Sequence, residues 1–232
     1  MASTRTAMKY FQETLSSPQF KLLKRLGPFL SGHGFYLAGG TAIALMLGHR
    51  KSVDLDWFSP VSIRDPASWT NKIKSAGMIP LAVNIDEGTF YATIGGVRIS
   101  IIEYPYTIIS PLVEWKSVGC SLASLDDLAC MKLSAIASRG SKKDFIDVYA
   151  LEKKHCSLQH MMSMYNKKFP EADLFPVFRG LSYFDDADNV RMPRMVWKVT
   201  WKTIKEEIQK ELNKLIRKIE HLPAGRQADN TD

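Results

Sequence analysis

The sequence predicts an α+β fold: an α/β core with a strand meander, then a helical lobe. Three observations carry this. Strand-like runs cluster between residues 52 and 104, and the first of them, SVDLDWF, alternates apolar with acidic positions. The pair Gly39-Gly40 separates a short strand-like run from a compact apolar helix. From Ser124 onward the chain reads as helix, ending in an apolar stripe at steps of three and four.

Each element follows in order. Residues 19–30 form a helix with Phe20, Leu23, Leu26 and Leu30 on one face. After the turn SGHG come a strand at 35–38, the glycine pair as a breaker, a helix at 41–47 and a strand at 52–58. A helix at 66–76 ends at Gly77, and strands follow at 79–85, 89–94 and 97–104. The last two are joined by Gly95-Gly96, a hairpin signal. Residues 105–119 read as a long connection. Ser124, with Asp127 three residues on, opens a helix to about Ser138 in the manner of a capping box. Helices at 142–155 and 158–168 follow. The last, 195–221, carries Trp197, Trp201, Ile204, Ile208, Leu212, Leu215 and Ile219 as its stripe. These elements divide the chain into a core at 1–120, a helical lobe at 121–222 that completes the site, and a frayed tail at 223–232.

The composition agrees. The 232 residues are 45% hydrophobic and 24% charged, which excludes a disordered or collagen-like chain. The nearly charge-free stretch around the glycine pair, 35–48, is too short to span a bilayer, and MASTRTAMKYFQ lacks the apolar run of a secretory signal. Cys120, Cys130 and Cys156 show no metal-ligand spacing and fit a reducing, cytoplasmic setting. His33, His49, His155, His160 and His221 are scattered and read as structural or surface residues. The net charge of +7 is concentrated near the end, where ten basic and four acidic side chains lie between Arg191 and Arg226. The basic face there, with Arg194, Lys198, Lys202 and Lys205, is either the wet side of a docked helix or a surface for nucleic acid.

Two groups of residues could carry chemistry. In the first, Gly39 and Gly40 let backbone approach a ligand, and the following helix offers free N–H groups to phosphate, with the Thr41 hydroxyl as a further donor. Asp54 and Asp56 alternate on a strand and share a face, so their charges repel unless a cation joins them. Mg²⁺ binds carboxylates together with substrate phosphates, as metal-assisted phosphoryl or nucleotidyl transfer requires. The second group is Lys132, Arg139, Asp144 and Asp147 on two successive helices. There a surface lysine would contact phosphate, while an acid of the next helix orients it or assists the acceptor. Taken singly, these motifs also fit a tight turn, a solvated strand face and surface salt bridges; their order along the chain favours the chemical reading.

LAGGTAIALMLGHRKSVDLDWFS and the later SLDDLACMKLSAIASRGSKKDFIDVYAL resemble two blocks of the AbiEii/AbiGii toxin family of nucleotidyltransferases. The resemblance covers roughly Leu22 to Leu151. It implies a polymerase β-like core with a mixed sheet, a nucleoside triphosphate substrate, and Mg²⁺ (or Mn²⁺) as cofactor. Matched position by position, Gly39, Gly40 and Thr41 correspond to the triphosphate-holding motif. Asp54 and Asp56 correspond to the metal-binding acids, Lys132 to the nucleotide-contacting lysine, and Asp144 or Asp147 to the last acid. Arg50, Ser52 and Arg139 would help hold the nucleotide. Related enzymes carry a third metal carboxylate on a later strand; in VRISIIEY the acid is Glu103, near the strand end, while Ser100 is not acidic. The resemblance further implies a toxin of a type IV toxin–antitoxin or abortive phage-infection system, an acceptor such as a tRNA 3′ end, and a DNA-binding antitoxin as partner. Two alternatives stand beside it: a silent nucleotide- or RNA-binding module, and a small-molecule nucleotidyltransferase using Asp144 or Asp147 as general base.

Overall fold

The computed structural model describes residues 9–220. A 3-10 turn at Gln12–Thr14 precedes α1 (Ser17–Gly32), β1 (Tyr36–Leu37), α2 (Gly39–Leu47), β2 (Asp54–Ser59) and α3 (Ser68–Ser75). Next come β3 (Leu81–Asp86), β4 (Thr89–Ile94), β5 (Val97–Glu103), β6 (Val113–Trp115) and β7 (Cys120–Leu122). The helical part comprises α4 (Leu125–Ser138), α5 (Lys142–Lys154), α6 (Leu158–Lys168), α7 (Phe175–Ser182), the single turn α8 (Asp185–Asp188), and α9 (Trp201–Glu220).

The strands form one mixed sheet in the order β3-β4-β5-β2-β1-β7-β6. The pairs β2–β5 and β1–β7 are parallel; the others are antiparallel. The sheet is therefore that of an α+β protein. Alternation on β2 sets its two faces. Leu55 and Trp57 are fully buried on the α1 side, where Gly27 lets the helix close on Trp57 and Cys120. Asp54 and Asp56 point to the other side, toward α2.

Local chemistry explains most boundaries. Ser16 and Gln19 satisfy each other's backbone N–H groups as a capping box at the start of α1, with Pro18 in the first turn. Gly95 and Gly96 both take positive φ, as a two-residue hairpin of this type requires. Ser124 caps α4 by accepting from Asp127 N (3.0 Å). Its hydroxyl also donates to the Asp127 carboxylate (2.7 Å), whose other partners are the Ile109 and Ser110 N–H groups and Lys168. Asp127 therefore ties down the preceding loop and does not complete a capping box.

Three expectations need correction. The glycine pair does not stand before the second helix; it is its first turn. The segment 105–119 is not wholly a connection: Val113–Trp115 pairs with Cys120–Leu122, and both close the far edge of the sheet through β1. The last helix starts at Trp201, not at 195, because Thr200 Oγ1 caps Thr203 N (3.1 Å) and the residues before it are drawn off as a strap. Met195 bridges to Arg50, Lys51 N donates to Arg194 O (2.8 Å), and Val196 N and Trp197 N both donate to His49 O (2.9 and 3.0 Å). Trp197 accordingly leaves the stripe and meets the His49 ring edge-on. Ile204, Ile208, Leu212 and Leu215 are buried as the spacing demands. The Ile219 side chain, His221 and the tail at 223–232 lie outside what the structure describes. Among the described residues no helix is long and apolar enough to cross a membrane.

Candidate active site

The site is a corner where the first turn of α2, the Asp face of β2 and the α4–α5 pair meet. Gly39 has φ +63°, and a Cβ there would stand 3.0 Å from Asp56 Oδ2. Glycine thus allows both the turn and the approach of backbone to carboxylate. Ala38, which precedes the helix, provides no side-chain cap, so the first-turn amides of α2 are available to an anion. A Cβ on Gly40 would collide with the Arg50 guanidinium and stand 3.2 Å from Asp147 Oδ2. The second glycine therefore makes room for an arginine of the chain itself.

Asp54 and Asp56 sit on β2 opposite Arg98 and Ser100 of β5. Arg98 Nε donates to Asp54 Oδ1 (2.7 Å), and the Ser100 hydroxyl donates to Asp56 Oδ1 (2.5 Å). Burial pushes the Asp56 carboxyl above its usual range; the Asp54 charge adds to this, while Ser100, Lys132 and Arg139 oppose it. Gly39 faces Asp56 while the adjacent Gly40 faces Arg50 and Asp147, which pairs with Lys132, so both predicted groups of residues occupy one corner.

The α4–α5 group is an ion-pair network. Asp147, fully buried, accepts from His49 Nε2 (2.7 Å), Arg50 Nε (2.7 Å) and Nη2 (2.8 Å), and pairs with Lys132 Nζ (2.9 Å). Asp144, also fully buried, accepts from Lys132 Nζ (2.9 Å), Arg139 Nε (2.9 Å) and Nη2 (3.1 Å), and Ser141 Oγ (2.7 Å). Burial alone would raise both acids. Arg50 and Lys132 outweigh it at Asp147 and hold that carboxyl well below the usual range. At Asp144, Lys132 and Arg139 bring the value down to about 2. Burial likewise lowers the His49 imidazole against the upward pull of Asp147, so it is neutral at pH 7 and donates through Nε2. Three cations then face two anions. The surplus positive charge emerges at Arg139, whose side chain is 65% exposed against 8% for Lys132.

Several expected roles change on these distances. Lys132 is not surface-facing; it is buried, with its ammonium held between two carboxylates. Arg50 is likewise spent on Asp147 and does not reach outward. The Thr41 hydroxyl donates to the Asp54 carbonyl and accepts from Ser52 Oγ (2.6 Å), so both hydroxyls fasten α2 to β2 instead of offering donors to phosphate. Glu103 is no metal ligand. It pairs with Ser59, three positions beyond Asp56, about 10 Å along the strand and on the opposite face. Its Oε2 accepts from Ile63 N (2.8 Å). Asp144 and Asp147 are fully buried with every carboxylate oxygen paired, an arrangement that does not present a general base to a substrate hydroxyl. His49, Ser141, Arg98 and Ser100 belong to the site and were not predicted. Arg98 and Ser100 could have been found by extending the alternation across VRISIIEY.

The donor set fits a divalent cation. Two carboxylates of one strand face, one of them with its pKa raised by burial and like charge, are oxygen donors of the kind that would suit a Mg²⁺ ion. Among the described residues no group of three or more acids, histidines or cysteines is placed to hold a metal ion, so the two aspartates would be the protein's whole share of such a site.

Residues 21–91, which include Gly39, Gly40, Thr41, Asp54 and Asp56, match the family described as nucleotidyl transferase AbiEii toxin, type IV TA system. An Aquifex aeolicus (strain VF5) protein described as uncharacterized protein aq_aa25 is 36% identical over 155 residues, 66% of this chain and 75% of its own length. The chain belongs to the AbiEii family of nucleotidyltransferase toxins. Two solved structures share its fold. A candidate nucleotidyltransferase of H. pylori aligns with TM-score 0.52 at 17% identity, over 87% of this chain and 95% of its own. MenT4, a nucleotidyltransferase toxin of Mycobacterium tuberculosis H37Rv, aligns with TM-score 0.52 at 14% identity, over 88% and 84%.

Proposed function

We propose that this AbiEii-family protein transfers a nucleoside monophosphate from an NTP to an acceptor hydroxyl and releases pyrophosphate. The observation that carries the reading is the meeting of Gly39, Asp56 and the Lys132–Arg139 group at one corner. The uncapped first turn of α2 would receive phosphate oxygens through its amides. Arg139, the exposed cation of the network, would bind the phosphates; its guanidinium is already oriented by Asp144. Lys132 contributes from below as a fixed positive charge. Asp144, Asp147, Arg50 and His49 are positioning residues that hold it there. Asp54 and Asp56 would hold Mg²⁺ (or Mn²⁺), which when bound neutralises charge building at the transferred phosphate. In this reading the catalytic core expected at 1–120 runs on through β7 to Leu122, and the helices from α4 onward, expected as 121–222, form the lobe that completes the site.

The family's toxin character supports a cytoplasmic protein with an antitoxin partner, and an RNA such as tRNA as acceptor fits a basic chain. A second reading, nucleotide binding without turnover, is favoured by one observation: Arg98 and Ser100 stand on β5 opposite the two acids, where a third acid would be expected.

Incubation with each α-labelled NTP, Mg²⁺ and total RNA decides between them. Transfer that disappears in Asp54→Asn and Asp56→Asn supports the enzyme. NTP binding without transfer to RNA, protein or small molecule supports the silent module. Transfer that survives both substitutions removes the assignment of the acids.

A further inference from the structure

A cavity of about 270 Å³ opens beside Arg139, between the end of α4 and α7. Its walls are fixed. A Cβ on Gly180 would stand 2.7 Å from Ile136 O, so α7 rests directly on the α4 backbone. At the rim are two exposed rings: Phe175, 68% exposed, and Tyr183, 50% exposed. One guanidinium comes from each wall, Arg139 from the α4 side and Arg179 from α7. Asp186 adds a single carboxylate, which the Tyr183 hydroxyl approaches at 3.4 Å.

We propose that this cavity holds an unstacked nucleotide of a single-stranded polynucleotide, and that it thereby seats the acceptor strand next to the transfer site. Exposed rings take up a base by stacking, whatever its identity. The carboxylate accepts from an exocyclic amino group, and guanidiniums bind phosphate. The two cations on opposite walls favour a strand over the free triphosphate. A nucleotide within a strand has phosphate on both sides, whereas an NTP carries all its charge on one. Arg139 is shared between the cavity and the Asp56 corner, which places the bound strand beside the phosphates to be transferred. The assignment of the strand as acceptor rests on the function proposed above; the binding of the strand does not.

The test uses the full chain and a fluorescein-labelled single-stranded hexaribonucleotide, read by anisotropy without NTP. Phe175→Ala/Tyr183→Ala should weaken binding roughly tenfold or more. Arg179→Gln should weaken it and reduce the slope against salt by about one. Both variants should keep wild-type affinity for Mg·NTP, and both should fold, since the altered side chains are exposed. Unchanged oligonucleotide binding in the two variants overturns the proposal. A parallel loss of NTP affinity also overturns it, because the cavity then serves the base of the triphosphate. Asp54→Asn and Asp56→Asn separate the two readings: they should bind the oligonucleotide as wild type does, whatever their transfer activity.

Discussion

Four aspartates at this corner differ in everything except their chemistry. Asp54 and Asp56 share a partly open strand face, each with one partner from the neighbouring strand, and burial holds the Asp56 carboxyl above its usual range. Asp144 and Asp147 are sealed from solvent, every oxygen paired, and held below the usual range. In the first pair Asp54 has one exposed arginine and Asp56 only a serine hydroxyl; the second pair has received three cations from the protein, two of them buried. Residue type therefore does not tell the two pairs apart, whereas the supply of partners does.

That contrast can be broken in several ways. The largest effect should come from Asp54→Asn or Asp56→Asn, which would cut nucleotide transfer roughly 10³-fold. Stability by urea titration should stay within about 1 kcal/mol of wild type, because the amide relieves repulsion between like charges while Asp54 gives up only its exposed ion pair with Arg98. Loss of the fold with loss of activity would put these acids in the structural class. Asp147→Ala should do the opposite. It leaves Arg50 and Lys132 buried without their partner and should cost about 3–5 kcal/mol of unfolding free energy. A variant with a wild-type urea midpoint would show that the network carries no fold stability.

Acid should divide the pairs as well. The Asp144 carboxyl lies at about 2 in the folded protein against 3.8 unfolded, so its contribution is complete above pH 4 and is lost as pH falls toward 2. It amounts to about 2 kcal/mol, with Asp147 adding in the same direction. Asp56, raised by burial, contributes with the opposite sign: its stabilisation is present below 3.8 and fades as pH rises through its folded value. Unfolding free energy measured between pH 5 and 2.5 should therefore fall with acid, and a flat profile would contradict the network. Gly40→Ala should cost about 1–3 kcal/mol by pressing a methyl group onto Arg50, read as a lowered melting temperature. The smallest effect is expected on α9. Lys202, Lys210 and Lys214 pair with Glu206, Glu207 and Glu211, and Lys205 with Asp188. Lys202→Gln should leave stability within about 0.5 kcal/mol and the salt slope of RNA binding unchanged. A clear change in that slope would restore the helix as a nucleic-acid surface.

The open half of the site was legible in the sequence and the sealed half was not. Period-two alternation put Asp54 and Asp56 on one face, and the glycine pair announced a close backbone approach. Both are local signals. The fate of Lys132 depends on Asp147, and the fate of Asp147 on His49 and Arg50 nearly a hundred residues away, a separation no spacing rule reaches. For the same reason a lysine read as solvent-facing is buried, and a histidine read as incidental is a donor in the network. Helix stripes were read correctly where packing follows period, as at Ile204 and Leu212. They misled at Trp197, where main-chain bonds to His49 override the pattern.

The strap at residues 194–197 carries a consequence for how such proteins can be recombined. Because it clasps the very loop that presents His49 and Arg50 to Asp147, the two ends of the chain are not exchangeable parts. A chimera that joins this core to a foreign helical half must import loop and strap together.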